Sequence, residues 1–412
     1  MKRRPPALFL LITIVSIVCG TLAYHFIAMV ALDPTQFPPT SDLARRLQTH
    51  VQFLASTDLQ GRKPGTLGHR KAADYIVTEF QKAGLEPLAS LNGYRQTVSQ
   101  ELGDNLIGIR PASNPHGSGW ILIGAHYDHL GGAYLGADDN ASAVGILLEL
   151  ARSLPSLTND PVIFAAFNTE EAPYIRTGLM GSQHFTDHLP AEIGSLSRLQ
   201  AVIIMDLMGG VHWEPLQEIL FAAGAEQSPG LYRRVKEAAM SGTIDSVSVL
   251  PIGLHLVEEI PLIGRVAFSD YDAFRNASVP FLFLSAGRTP RYHQPSDLPN
   301  TLHYERMAAT VPWLAHLIGL IDQDTVPYRF EKDRLEFSDE IHAFRPLVIK
   351  SAEEPSKIPG TSALSLWKQK QDRDWLDRLD LSKATREDVK RLERLSIRMQ
   401  CLLSDMPGCF LL

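Results

Sequence analysis

Four short apolar runs punctuate the chain: Trp120-Ile-Leu-Ile-Gly124, Val162-Ile-Phe-Ala-Ala-Phe167, Ala201-Val-Ile-Ile-Met205 and Pro280-Phe-Leu-Phe-Leu284. None alternates with polar residues, which is the pattern of strands covered on both faces. From Lys71 to Lys82, Ala73, Ile76, Val77 and Phe80 recur at helical spacing and Gly84 is placed to end the helix. Such alternation of apolar runs with helical stretches predicts an α/β sheet. Near the carboxyl end, Thr385 and Asp388 make a capping-box-like start, after which Val389, Leu392, Leu395, Met399 and Leu402 trace one face. That predicts a final helix packed on the main domain, with a partner-binding or oligomerising face as the alternative.

The amino terminus follows a different pattern. Lys2, Arg3 and Arg4 precede a stretch from Ala7 to Leu32 with no acidic or basic residue other than His25. It is long enough to cross a bilayer at roughly 20 residues per span. Positive charge on the short leading side predicts that the bulk of the chain is exported. A signal peptide cleaved near Ala23 is the rival, yet the apolar character continues through Phe26, Ile27, Met29, Val30 and Leu32, which favours an uncleaved membrane anchor. Either way the domain is expected outside the cytoplasm, periplasmic or extracellular. The expected organisation is a leader at 1–33, a proline-rich tether at 34–40, a folded domain at 41–324 and a charged helical extension at 325–412.

Composition narrows the picture. The chain has 412 residues, 45% of them hydrophobic, enough for a large core. A net charge of -7 supplies no basic face for nucleic acid. Of 3 cysteines, Cys19 lies in the leader and Cys401 and Cys409 are the one candidate pair, so neither a disulfide framework nor a cysteine metal cluster is implied.

The chemistry gathers where the apolar runs end. His126 closes the first run, with Asp128 placed to orient it as ligating histidines usually require. Asp138 and Asp139 open a helix, Glu170 and Glu171 follow the second run, Asp206 follows the third, and His293 lies beyond the fourth. Taken singly, each has a plainer account: a structural histidine, a helix cap, a solvated acidic turn, a salt bridge. Taken together they do not, because open α/β sheets gather their ligands at the carboxyl ends of strands. Five ligands and one free carboxylate are also what two zinc ions sharing one carboxylate, beside a general base, require. His184 and His188 are four residues apart, but no Glu follows His184 as a zinc-binding HExxH helix requires, so they are expected at the surface.

With these motifs in this order, the chain resembles the M28 family of zinc peptidases. The similarity runs from about Ser41 to Leu320 and begins at Gly61-Arg62 and Pro64-Gly-Thr66. The resemblance implies a three-layer sandwich with a central mixed, mostly parallel sheet and helices on both faces. It implies that His126 and Asp206 hold one zinc ion and Glu171 and His293 a second, with Asp139 bridging across a cis bond to Asn140. Glu170 would be the general base, Asp128 the carboxylate that orients His126, and Tyr292 a support for the oxyanion. The implied activity is that of an aminopeptidase: water bridged by two Zn2+ ions attacks the first peptide bond of a substrate with a free amino terminus. Alternatives are a glutaminyl cyclase-like acyl transferase using one zinc, or a non-catalytic binding protein on the same fold. The family's passage from the Glu pair to Gly178-Leu-Met-Gly-Ser182 is interrupted here by Ala172 to Thr177, an insertion expected to reshape the substrate pocket.

Overall fold

The computed structural model describes residues 37–114, 119–211, 216–240, 247–260, 264–353 and 363–403. The leader therefore lies outside the described residues, and among these no helix is long and apolar enough to cross a membrane.

The described residues begin with two helices, α1 (Asp42–Leu54) and α2 (Leu67–Lys82). Helix α2 starts earlier than its apolar spacing suggests, because the Thr66 hydroxyl accepts the His69 N–H and caps it there. Gly84, at φ 70, follows its end. Strands β1 (Arg95–Ser99), β2 (Gly103–Arg110) and β3 (Trp120–His126) come next, then α3 (Ala143–Ser153), β4 (Val162–Phe167), α4 (Gly181–Asp187) and β5 (Leu199–Met205). Beyond these lie β6 (Ile219–Ala223), α5 (Pro229–Met240), β7 (Ser248–Ile252), α6 (His255–Glu258), the short ribbon β8 (Glu259–Ile260) and β9 (Gly264–Arg265), α7 (Tyr271–Asn276) and β10 (Phe281–Ser285). Helices α8 (Tyr304–Asp322), α9 (Phe337–Glu353), α10 (Ala363–Arg378) and α11 (Arg386–Leu403) complete the order.

Eight strands form one sheet in the order β1-β2-β4-β3-β5-β10-β6-β7. Its centre, β4-β3-β5-β10, is parallel throughout, and these are the four apolar runs of the sequence. Every residue of the four strands is buried, as their lack of alternation requires. The flanks reverse direction: β2 pairs antiparallel with β4, and β6 antiparallel with β10.

Successive residues of the central strands feed opposite layers. Ile121, Ile123, Phe164 and Ile203 pack in one cluster with Leu47, Ile76, Ile146 and Leu317 of α1, α2, α3 and α8. Leu122, Ile163, Val202 and Phe283 pack in another with Phe185, Phe274, Phe344, Leu347, Leu392 and Met399 of α4, α7, α9 and α11. The carboxyl-terminal helices are thus part of the second layer's core. Asp388 accepts from both the N–H and the hydroxyl of Thr385, so the capping box forms, and Leu392, Leu395 and Met399 of the expected face are buried.

Candidate metal centre

The four parallel strands end side by side, and their last residues or the loops that follow bring the acids and histidines together. His126 is the final residue of β3. Its Nε2 lies 3.3 Å from Asp139 Oδ1 and 3.6 Å from Asp206 Oδ1. His293, on the loop after β10, places Nε2 3.1 Å from Asp139 Oδ2 and 3.2 Å from Glu171 Oε2. Two donors on one tetrahedral zinc with bonds of about 2.0 Å stand roughly 3.3 Å apart. The four histidine–carboxylate separations lie near that spacing, and Asp139, whose bond to Asn140 is cis, is common to both histidines.

Buried polar groups hold this arrangement. The Asp128 carboxylate accepts the N–H of Glu170 at 3.1 Å and of Glu171 at 3.3 Å, fixing the acidic pair. It stands 3.7 Å from His126 Nδ1, while its own backbone carbonyl is nearer, at 3.2 Å. Asp297 accepts the N–H groups of Asp138 and Asp139, and Asp138 accepts those of Gly209 and Gly210 beyond β5. Arg62 is fully buried and donates to the carbonyls of Leu54, Tyr127, Leu135 and Gly136, tying the β3 exit loop to the segment before Asp139. The turn that delivers it needs glycine, since a Cβ on Gly61 would stand 2.1 Å from the Tyr134 carbonyl. Thr169, Leu207 and His293 adopt left-handed φ values of 56, 55 and 55, so strained backbone marks the exits from β4 and β5 and the second imidazole.

The electrostatics call for cations. Asp128, Asp139, Glu170, Glu171 and Asp206 are all buried. One oxygen each of Asp139, Glu170, Glu171 and Asp206, and Nε2 of His126 and His293, lack hydrogen-bond partners although buried. Orphaned polar atoms of this density are costly unless something binds them, so the residues present fit divalent cations. Burial, and then the Asp206, Glu171 and Asp270 charges against the opposing pull of His126, hold the Glu170 carboxyl well above its usual range. Contacts with Asp139 and Glu171 lift His293 to about 10 against the effect of burial. Glu170 stands apart from both donor sets, its Oε2 3.9 Å from His126 Nε2. Tyr292 stacks on the His293 ring at 3.8 Å, and the Arg288 guanidinium lies 4.8 Å from the Tyr292 ring centre.

The segment of sequence that matches Peptidase family M28 spans residues 105–318, more than half of the 412. The chain belongs to peptidase family M28. Aminopeptidase YwaD of Bacillus subtilis (strain 168) is 29% identical over 259 residues, covering 61% of this chain and 50% of YwaD, so the match spans half the length of that relative. Among solved structures, BSAP, a zinc aminopeptidase from Bacillus subtilis, aligns with a TM-score of 0.52 at 17% identity over 71% of this chain and 98% of BSAP. Porphyromonas gingivalis glutaminyl cyclase aligns at 0.50 and 20% identity over 67% of this chain and 97% of its own. At these identities the structural likenesses speak for the fold, which both share with this M28 chain.

One residue of this M28 site carries no role in the sequence reading. His129 is buried, with Nδ1 2.8 Å from Glu171 Oε1 and 3.8 Å from Asp139 Oδ2, so it forms a donor group with those two acids. Its signal was its place three residues past His126, within the same loop. His184 and His188 stack on each other at 4.3 Å, and among the described residues neither joins a metal-binding group.

Proposed function

We propose that this chain is a zinc-dependent aminopeptidase. The observation that carries the reading is the pair of donor sets sharing Asp139, with Glu170 beside them and in neither. His126 and Asp206 would hold one ion, Glu171 and His293 the other, and Asp139 both. When bound, two zinc ions supply Lewis acidity that polarises a carbonyl and eases deprotonation of water. Glu170 accepts the proton of the attacking water and returns it to the leaving amine, the task of a carboxylate held beside the donor sets without belonging to either. Asp128 keeps the Glu170 carboxylate aimed by holding its backbone N–H. The Tyr292 hydroxyl, kept protonated by burial and by the carboxylates around it, donates to the oxyanion. The substrate is a peptide with a free amino terminus.

Metal analysis together with hydrolysis of aminoacyl reporters tests the roles. Wild type is expected to bind two zinc ions and to lose activity to a chelator. Glu170→Gln should keep both ions and lose about 10²–10⁴-fold in kcat, whereas Asp139→Asn should lose metal. Equal metal loss in the two variants removes Glu170 from the role of base. One ion per chain, with formation of amino-terminal pyroglutamate, would replace the reading with a glutaminyl cyclase-like one.

A further inference from the structure

A cavity of ≈ 130 Å³ has Asp206, Leu207 and Tyr292 in its wall. It follows the second face of the sheet, where Phe283 and Ile252 line it. The wall is completed from outside the M28 segment, which ends at residue 318: Phe344 and Leu347 of α9 and Met399 of α11 all line the cavity. No residue from Ala172 to Thr177 does so, although that insertion sits beside Glu170. The insertion instead folds into a largely exposed turn, with Tyr174 N–H bonded to the Glu171 carbonyl and Thr177 N–H to that of Tyr174.

The helical wall is held in place by polar contacts. His255 lies between Glu340 of α9, at 3.1 Å, and Glu393 of α11, at 2.8 Å. Ser396 and Gln400 of α11 both donate to the Leu256 carbonyl, at 2.7 and 2.8 Å. Both helices are thus fastened to α6, whose own Leu256 also faces the cavity. A wall fixed in this way is preorganised for a defined shape.

We propose that the carboxyl-terminal extension belongs to the active site, with Phe344, Leu347 and Met399 closing the pocket that takes the side chain of the substrate's first residue. The inference rests on the aminopeptidase reading. In that reaction the carbonyl attacked belongs to the first residue, whose side chain starts one carbon away. Asp206 belongs both to a metal donor set and to the cavity wall, so the cavity adjoins the position of that carbon. An apolar cavity of about 150 Å³ takes a benzene-sized guest, which makes this one suited to a single aromatic ring or branched aliphatic group. Most of its lining is apolar, with Asp206 and Arg288 the two charged residues in it, so a charged side chain would exchange water for largely apolar surroundings. The preferred substrates are therefore peptides that begin with leucine, phenylalanine or a residue of that size.

The zinc-loaded full chain is assayed on the leucyl, phenylalanyl, alanyl, glutamyl and lysyl 4-nitroanilides. Leucyl and phenylalanyl kcat/KM should exceed alanyl by at least about 10-fold and the charged substrates by more. Met399→Trp fills the pocket and should lower the leucyl-to-alanyl ratio by about 10-fold. Phe344→Ala lengthens it and should raise phenylalanyl turnover relative to leucyl. Soluble, zinc-retaining variants with the wild-type ratios overturn the proposal, and so does a wild type that prefers alanyl, glutamyl or lysyl substrates, even where a variant fails to fold. A zinc-loaded wild type that cleaves none of the five removes the aminopeptidase reading itself. Brisk hydrolysis with unchanged ratios removes the role of the extension alone.

Discussion

His129 shows how much a single side chain contributes that spacing does not announce. It stands 2.8 Å from Glu171 and 3.8 Å from Asp139, with neither ring nitrogen hydrogen-bonded. Losing a group that ligates or orients a ligand costs metal affinity by about 10–100-fold. His129→Ala should therefore release one of two zinc ions at a chelator concentration about 10–100-fold lower than wild type requires, read by titration with a colorimetric chelator. Retention of both ions at wild-type affinity would reduce His129 to a packing residue. The acids and the other histidines were legible because each lies at or soon after the end of an apolar run, where a charge is conspicuous. Arg62 and Asp138 drew no structural role from the sequence for a physical reason. Their partners, the carbonyls of Leu135 and Gly136 and the N–H groups of Gly209 and Gly210, lie about 70 residues away and have no side-chain signature.

Full burial made the four central strands readable, whereas β2 and β6, also largely buried, went unread. The strands β3, β4, β5 and β10 are covered on both faces and so carry unbroken apolar runs. The outer β1, with the sequence RQTVS, and β7, partly exposed, lack such runs and escaped the pattern. Helix α11 announced its cap and its apolar face, but not that this face would meet α6 and α9. That junction makes a pH-dependent prediction. Burial opposes charge on His255, but its hydrogen bonds to the Glu340 and Glu393 carboxylates outweigh it and lift the imidazole from 6.5 to about 9. Arg265 stands beside Glu393, and Glu226, raised by burial to about 7, also faces the group. A raised folded-state pKa stabilises fully below the unfolded value and loses that contribution as pH rises through the folded one. The attachment of α11 should therefore weaken between pH 6.5 and about 9, and ionisation of the buried Glu226 weakens the fold in the same direction as pH rises from 4.5 toward about 7. Hydrogen exchange in α11 should accelerate across that window, and His255→Gln should flatten the change. Exchange in α11 that is insensitive to pH, after correction for intrinsic rates, would argue against the clasp.

At the scale of the molecule, metal and fold are coupled through charge. The ends of β3, β4 and β5 and the loop after β10 deliver Asp139, Glu170, Glu171 and Asp206 into one buried volume. Without cations these carboxylates repel, and the chain must bind protons or shift apart to relieve them. Ions that bind the folded state alone add RT ln(1 + [L]/Kd) to stability, about 2.7 kcal/mol at a free concentration of 100 Kd. For a domain of roughly 150–250 residues, where 1 kcal/mol moves Tm by about 2–4 °C, that corresponds to a rise of about 5–11 °C, and to less for a larger one. Calorimetry of the zinc-loaded chain should show this fall on chelation and its recovery on adding zinc. Asp139→Asn, lacking the shared ligand, should respond little to either treatment, because the ions it no longer holds cannot stabilise it. The layered arrangement sharpens the expectation further. The acids sit at one end of the sheet, whereas the α9 and α11 clasp sits on its second face, so chelation should loosen the strand-exit loops first and leave exchange in α11 near its metal-loaded rate at neutral pH. Simultaneous loss of protection in both would mean that the extension and the metal centre unfold as one unit.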